Sequence, residues 1–172
     1  KAMEPPPAVG GRDILVEHCT VWNDKVRALG IAGESRGEIY NIIFRRCTVL
    51  HSLADWAAEV GALCVVLCDA GTVHDIVFEQ IDVLDERANG INCMLFRDRW
   101  STDTQAGHIR AVCFRDITLP KNVPVRLWGY DAAHRVEDIL LQNVHMEEAE
   151  ALWLDSNVYT SEIQVRGTRQ NE

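Results

Sequence analysis

The chain has 172 residues, of which 47% are hydrophobic and 25% charged, with 11 glycines and 5 prolines. That composition excludes the collagen-like and disordered classes, and the length suits one folded domain with a sizeable core. A balance of 17 Lys and Arg against 26 Asp and Glu leaves a net charge of −9 with no basic stripe, which argues against a nucleic-acid partner; no apolar run reaches the roughly 18 residues of a membrane span.

The first eleven residues carry Pro5-Pro6-Pro7 and no apolar leader-like run, so residues 1–11 are expected to be a Pro- and Gly-rich lead segment. This predicts an intracellular protein, or a secreted or periplasmic one whose leader has been removed. The six cysteines include no CxxC pair, and no histidine follows Cys64 and Cys68 at zinc-finger spacing.

A ten-residue pattern then recurs along the chain: ILVEHCTVWN from Ile14, IIFRRCTVLH from Ile42, IVFEQIDVLD from Ile76, VCFRDITLPK from Val112 and ILLQNVHMEE from Ile139, with a short echo, IQV, from Ile163. The intervals are 28, 34, 36, 27 and 24 residues. A constant core with variable spacing predicts strands stacked in register, joined by loops of different length. Columns one, three, six and eight are apolar, and the parity changes between columns three and six, which predicts a bend with two polar residues at its corner. Cys19 and Cys47 fall in the sixth column, beside Ile81, Ile117 and Val144. They are expected to be reduced, stacked apolar residues rather than disulfide partners. The fourth column reads Glu17, Arg45, Glu79, Arg115 and Gln142, an alternation of sign that suits neighbouring parallel strands about 4.8 Å apart.

A second strand is expected between successive repeats: VRALGIAGE from Val26, ALCVVLCD from Ala62, GINCMLFRD from Gly90, VRLWGYD from Val125 and ALWLDS from Ala151. No 10–15-residue amphipathic pattern suggests βαβ units, apart from SLADWAAEVGAL near 52–63, read as a helical turn or a long loop. The predicted fold is all-β: a right-handed parallel β-helix, or solenoid, of about five to six coils over residues 12–166, followed by a tail at 167–172.

GEIYNIIFRRCTV, GTVHDIVFEQIDV and GHIRAVCFRDITL resemble the coils of right-handed parallel β-helix proteins of the pectin lyase-like group, specifically the polygalacturonase-like and dextranase-like glycoside hydrolases. VWNDKVRALGIAGESRGEIYNIIF is similar to the stretch where a strand ending in Gly enters the next coil, and ANGINCMLFRDRW followed by GHIRAVCF is similar to the substrate-binding coil. The resemblance spans about residues 12–166 and corresponds to the C-terminal half of such an enzyme. It implies a β-helix that acts on or binds polysaccharide. The Asn-Thr-Asp, Asp-Asp, Gly-His-Gly and Arg-Ile-Lys motifs of polygalacturonases are absent: Arg27-Ala28-Leu29-Gly30 and Asn92-Cys93-Met94 stand where the last two would fall. Pectin hydrolysis by the family mechanism is therefore not expected.

The second strands end in acids, Glu34, Asp69, Asp98, Asp131 and Asp155. Stacked in register, neighbouring carboxylates would lie about 5 Å apart and alternate ones about 10 Å, bracketing the separations of retaining and inverting glycosidases. Three readings stay open: turn-capping aspartates, a carbohydrate site, or a Ca²⁺ ion relieving the repulsion. On the carbohydrate reading, Asp69 and Asp98 form the acid/base pair. Glu34, Arg97, Trp100, Trp128, Tyr130, Asp131 and His134 contact an oligosaccharide or polysaccharide. The competing class is a β-helix without catalysis that binds glycans or self-associates. Trp22, Trp56 and Trp153 are assigned to packing, and His18 and His145 to the surface. No HxH or HExxH pair, Gly-rich phosphate loop, GxSxG elbow or Cys-His arrangement is present. No resident cofactor is expected, and the exposed first coil predicts a second copy covering the N-terminal end.

Overall fold

The computed structural model describes residues 9–53 and 60–168. The chain runs through β1 (Val9–Glu17), β2 (Thr20–Asn23), β3 (Leu29–Ile31), β4 (Glu38–Ser52), β5 (Leu63–Leu67) and β6 (Thr72–Val83). It continues through β7 (Ile91–Leu95), β8 (His108–Leu119), β9 (Val125–Trp128), β10 (Val136–Met146), β11 (Leu154–Ser156) and β12 (Thr160–Arg166). The protein is all-β, with no helix among the described residues. From β3 onward successive strands alternate between two sheets, both entirely parallel. The larger has the order β1-β4-β6-β8-β10-β12, with β2 also pairing β4, and the smaller is β11-β9-β7-β5-β3. This arrangement is compatible with a β-helix or β-solenoid.

The register reproduces the sequence columns. Ile14 pairs with Ile42, Ile42 with Ile76, Ile76 with Val112, Val112 with Ile139 and Ile139 with Ile163. In the third column the rings of Phe44, Phe78 and Phe114 stack at 4.8 and 4.9 Å. Such contacts contribute about 0.5–1.5 kcal/mol each beyond the area they bury. Cys19 and Cys47 lie in the sixth column as free thiols, Cys47 buried and Cys19 half-buried. In the fourth column Arg45 Nε lies 2.7 Å from a Glu17 carboxylate oxygen, and Arg115 pairs with Glu79.

The expected bend has a definite backbone origin. His18, Arg46, Gln80, Asp116, Asn143 and Gly167 all have positive φ, and they recur at the intervals of the repeat. A second ladder of positive φ, Asp13, Asn41, Asp75, Ala111, Asp138 and Glu162, precedes the first column and was not anticipated. A left-handed residue turns the strand and resets which side chains point inward, so each long strand wraps two corners of the core. Side chains bond along both ladders: Asn41 Nδ2 donates to Asp13 Oδ1 at 2.6 Å, and Asn143 Nδ2 to Asp116 Oδ1 at 2.8 Å.

Two packing assignments need correction. Trp22 and Trp153 are 66% and 48% exposed. Trp22 sits on the edge strand β2 and tilts over His51 at 4.7 Å, with nothing stacked on its other side among the described residues. His18 and His145 are exposed as expected. Trp56 and half of the segment read as a turn or loop at 52–63, residues 54–59, lie outside the described residues; β4 ends at Ser52 and β5 begins at Leu63.

Candidate functional site

The five acids do not form a ladder. Asp155 pairs with Arg126, five residues before Asp131, and its carboxylate lies 3.5 Å from Arg126 Nε while accepting Trp128 Nε1 at 3.1 Å. Leu67 pairs with Leu95, so Asp69 stands two positions beyond that pair and Asp98 three. Loops of unequal length follow each short strand, and they displace the acids from a common register. The acids therefore do not recur at one even spacing along the smaller sheet. Among the described residues no group of three or more His, Cys, Asp or Glu could hold a metal ion.

Asp69 is 0% exposed. Its Oδ1 accepts the backbone N–H groups of Thr102 and Asp103 at 2.6 and 2.7 Å, and its Oδ2 accepts the Thr102 hydroxyl at 3.1 Å. A buried carboxylate is tolerated because those donors replace water. The loop it ties down is the one that carries Asp98 and Trp100. Asp103 continues the tether: Arg36 Nε donates to both its oxygens at 2.9 and 3.0 Å, and the Ala70 N–H donates to Oδ2 at 3.1 Å. The Arg36 bond, the largest influence, holds the Asp103 carboxyl below its usual 3.8.

Two clefts lie along the outer side of the smaller sheet and share Phe96 and Asp98. The first, about 250 Å³, is lined by Glu34, Asp98, Trp100, Phe96, Arg27 and Cys68 among others. The second, about 420 Å³, adds Arg97, Arg126, Trp128 and Asp155 to Phe96 and Asp98. Asp98 Oδ1 accepts the Trp100 N–H at 2.7 Å, which fixes the start of the loop. Trp100 is 51% exposed, with the Arg99 guanidinium 4.9 Å over its ring. Cys68 reports the local field: burial, then the charges of Asp69, Asp98 and Glu34, push its thiol up to about 12. Glu34 and Asp98 line the first cleft together with this thiol, whereas Asp69 does not.

Arg97 lines the second cleft and donates to the Gln105 carbonyl at 3.2 Å. Tyr130, Asp131 and His134 line neither cleft. Asp131 caps a tight turn, its Oδ1 accepting the N–H groups of Ala133 and His134 and lying 2.8 Å from His134 Nδ1. Against a desolvation that would raise it, these bonds hold the Asp131 carboxyl below the usual 3.8. The His134 ring instead faces His108, with centroids 5.4 Å apart.

Phe96 and Arg27 were not singled out from the sequence. A signal for Phe96 exists: Leu63–Leu67 and Ile91–Leu95 are buried at every position, so the smaller sheet has apolar neighbours on both faces. Cys64, Val66 and Met94 form the outer cluster, and Phe96 packs against it. Comparisons with protein-family models, curated proteins and solved structures find no match for this chain.

Proposed function

We propose that the chain is a right-handed parallel β-helix of five to six coils that binds oligo- or polysaccharide along the outer side of its smaller sheet, as a glycoside hydrolase-like protein. Support for the coil comes from the alternation of the chain between two parallel sheets at the intervals of the repeat, together with the strong right-handed preference of parallel crossovers. The observation that carries the binding reading is Asp98, shared by two clefts with Trp100 on one side and Trp128 on the other. Sugar rings present apolar CH faces that pack on aromatic rings, and a carboxylate between the aromatics accepts hydroxyl donors.

On this reading Asp98 and Glu34, which line the same cleft, are the carboxylates that meet the glycan, while Asp69 positions the loop. The burial of Asp69 and its three donors favour a second reading, a glycan-binding β-helix without hydrolysis. Glycan-array binding and reducing-sugar release on the same polysaccharide panel separate the two. Asp98→Asn keeps the oxygen that accepts the Trp100 N–H, so the loop survives while the charge is lost. Release abolished by Asp98→Asn identifies a hydrolase. Binding that weakens about tenfold in Trp100→Ala and Trp128→Ala, with no release, identifies the non-catalytic binder. No binding and no release across the panel would overturn the proposal.

A further inference from the structure

Away from the clefts, a second group of polar side chains gathers where β8 begins and in the turn that leads into β10. His108 opens β8 with an exposed side chain, and its ring nitrogens have no hydrogen-bond or ion-pair partner among the described residues. His134 closes the turn that Asp131 caps. The Tyr130 and Asp131 N–H groups donate to the His134 carbonyl at 2.9 and 3.3 Å, so the backbone under the ring is fixed. Asp131 Oδ1 accepts the N–H groups of Ala133 and His134 at 2.8 Å each and also lies 2.8 Å from His134 Nδ1. An ionised carboxylate only accepts, so in the neutral ring Nδ1 carries the proton and Nε2 keeps its lone pair. A carboxylate behind an imidazole is the arrangement that orients histidine ligands in metal sites. The neighbouring level supplies a second imidazole: Ile109 pairs with Val136, and the His108 and His134 ring centres are 5.4 Å apart.

We infer that His108 and His134 together bind a divalent transition-metal ion of the zinc class, with Asp131 holding the His134 ring in place. Two imidazoles that share one tetrahedral ion, each through a nitrogen about 2.1 Å from it, have ring centres about 5 Å apart, close to the spacing of this pair. Imidazole nitrogen suits zinc, copper and nickel, whereas calcium and magnesium take oxygen ligands. The protein supplies two nitrogens and water fills the remaining positions, so the ion is exchangeable, unlike one closed in by four side chains. Arg135, next to His134 in the chain, has its charge offset by Glu137, whose Oε1 lies 3.1 Å from Arg135 Nε. The pair sits in the middle of the larger sheet, with β8 between β6 and β10. His108, Asp131 and His134 line neither cleft, so the inference is independent of the carbohydrate proposal.

Calorimetric titration of the full chain with zinc chloride, in a buffer free of chelating groups, tests the inference. The expected result is one ion bound per chain, with binding abolished by His108→Gln and by His134→Gln. Asp131→Asn keeps an oxygen for the N–H groups of the turn while removing the charge behind the ring, and is expected to weaken zinc binding about tenfold. His108 is exposed and makes no polar bond among the described residues, so His108→Gln should leave the circular dichroism and melting point of the metal-free chain unchanged. Loss of binding in that variant is then the loss of a ligand and not of the fold. No binding up to high micromolar zinc, or binding that survives either histidine substitution, would overturn the assignment. Calcium chloride bound as tightly as zinc would overturn it too, by placing the ion on carboxylates.

Discussion

Thr102 donates its backbone N–H to Asp69 Oδ1 at 2.6 Å, across 33 residues of sequence, and this bond ties the loop that carries Asp98 and Trp100 to the turn after β5. Asp69→Ala would leave the N–H groups of Thr102 and Asp103 without their acceptor. The expected cost is about 2–4 kcal/mol, read as a lower urea midpoint at unchanged slope. Asp69→Asn keeps one oxygen acceptor and is expected to cost about half as much. Equal stability of the native protein and Asp69→Ala would show that the loop is held by other contacts.

Ala111 sits at φ 52°, between the left-handed Asp75 and Asp138, and has no side-chain group that could bond locally. Glycine adopts this conformation freely, at the cost of more backbone entropy lost on folding. Ala111→Gly is therefore expected to stabilise by about 0.5–1 kcal/mol, and Ala111→Val to destabilise through its branched Cβ. Thermal melts of the three proteins check the order Gly, Ala, Val.

The phenylalanine stack allows a test of column contacts by double-mutant cycles. Phe44→Leu and Phe78→Leu should couple by about 0.5–1.5 kcal/mol, because their rings touch. Phe44→Leu and Phe114→Leu should be additive to within about 0.3 kcal/mol, since Phe78 lies between them. Denaturant unfolding of the three single and two double variants and the native chain gives both numbers.

Acid should loosen the loop beside the clefts. The Arg36 bond lowers the Asp103 carboxyl below 3.8 in the folded protein, so the ionised form favours folding. Its contribution is present in full above the unfolded value and drains away as pH falls through the lowered folded value. Asp103→Asn should therefore show a shallower loss of stability than the native chain below about pH 4, with lower stability at neutral pH. Urea midpoints across the acid range provide the measurement; identical acid limbs would remove Asp103 from the account.

Much of the architecture was legible because stacking repeats one physical environment. Phe44, Phe78 and Phe114 meet the same neighbours at each level, so they appear as a column, and Glu17 and Arg45 alternate because each faces the other. The second left-handed ladder was not anticipated, although its residue types carry a signal: Asp13, Asn41, Asp75 and Asp138 are of the kinds that best tolerate positive φ. The acids misled for the opposite reason. Asp69 and Asp98 look equivalent as strand-ending aspartates, yet one is buried under the loop that the other begins.

By itself the sequence determined the strand columns, their parallel register and the all-β class, since a backbone ladder repeats at one spacing and selects the same residue type at every level. Only the tertiary structure decided which carboxylates share a cleft. Asp98, Glu34, Trp100 and Trp128 are brought together by loops of different lengths, and each loop is held by bonds to residues about 30 or more positions away, as Asp69 holds Thr102 and Arg36 holds Asp103. Such contacts follow no period, so spacing along the chain carries no trace of them.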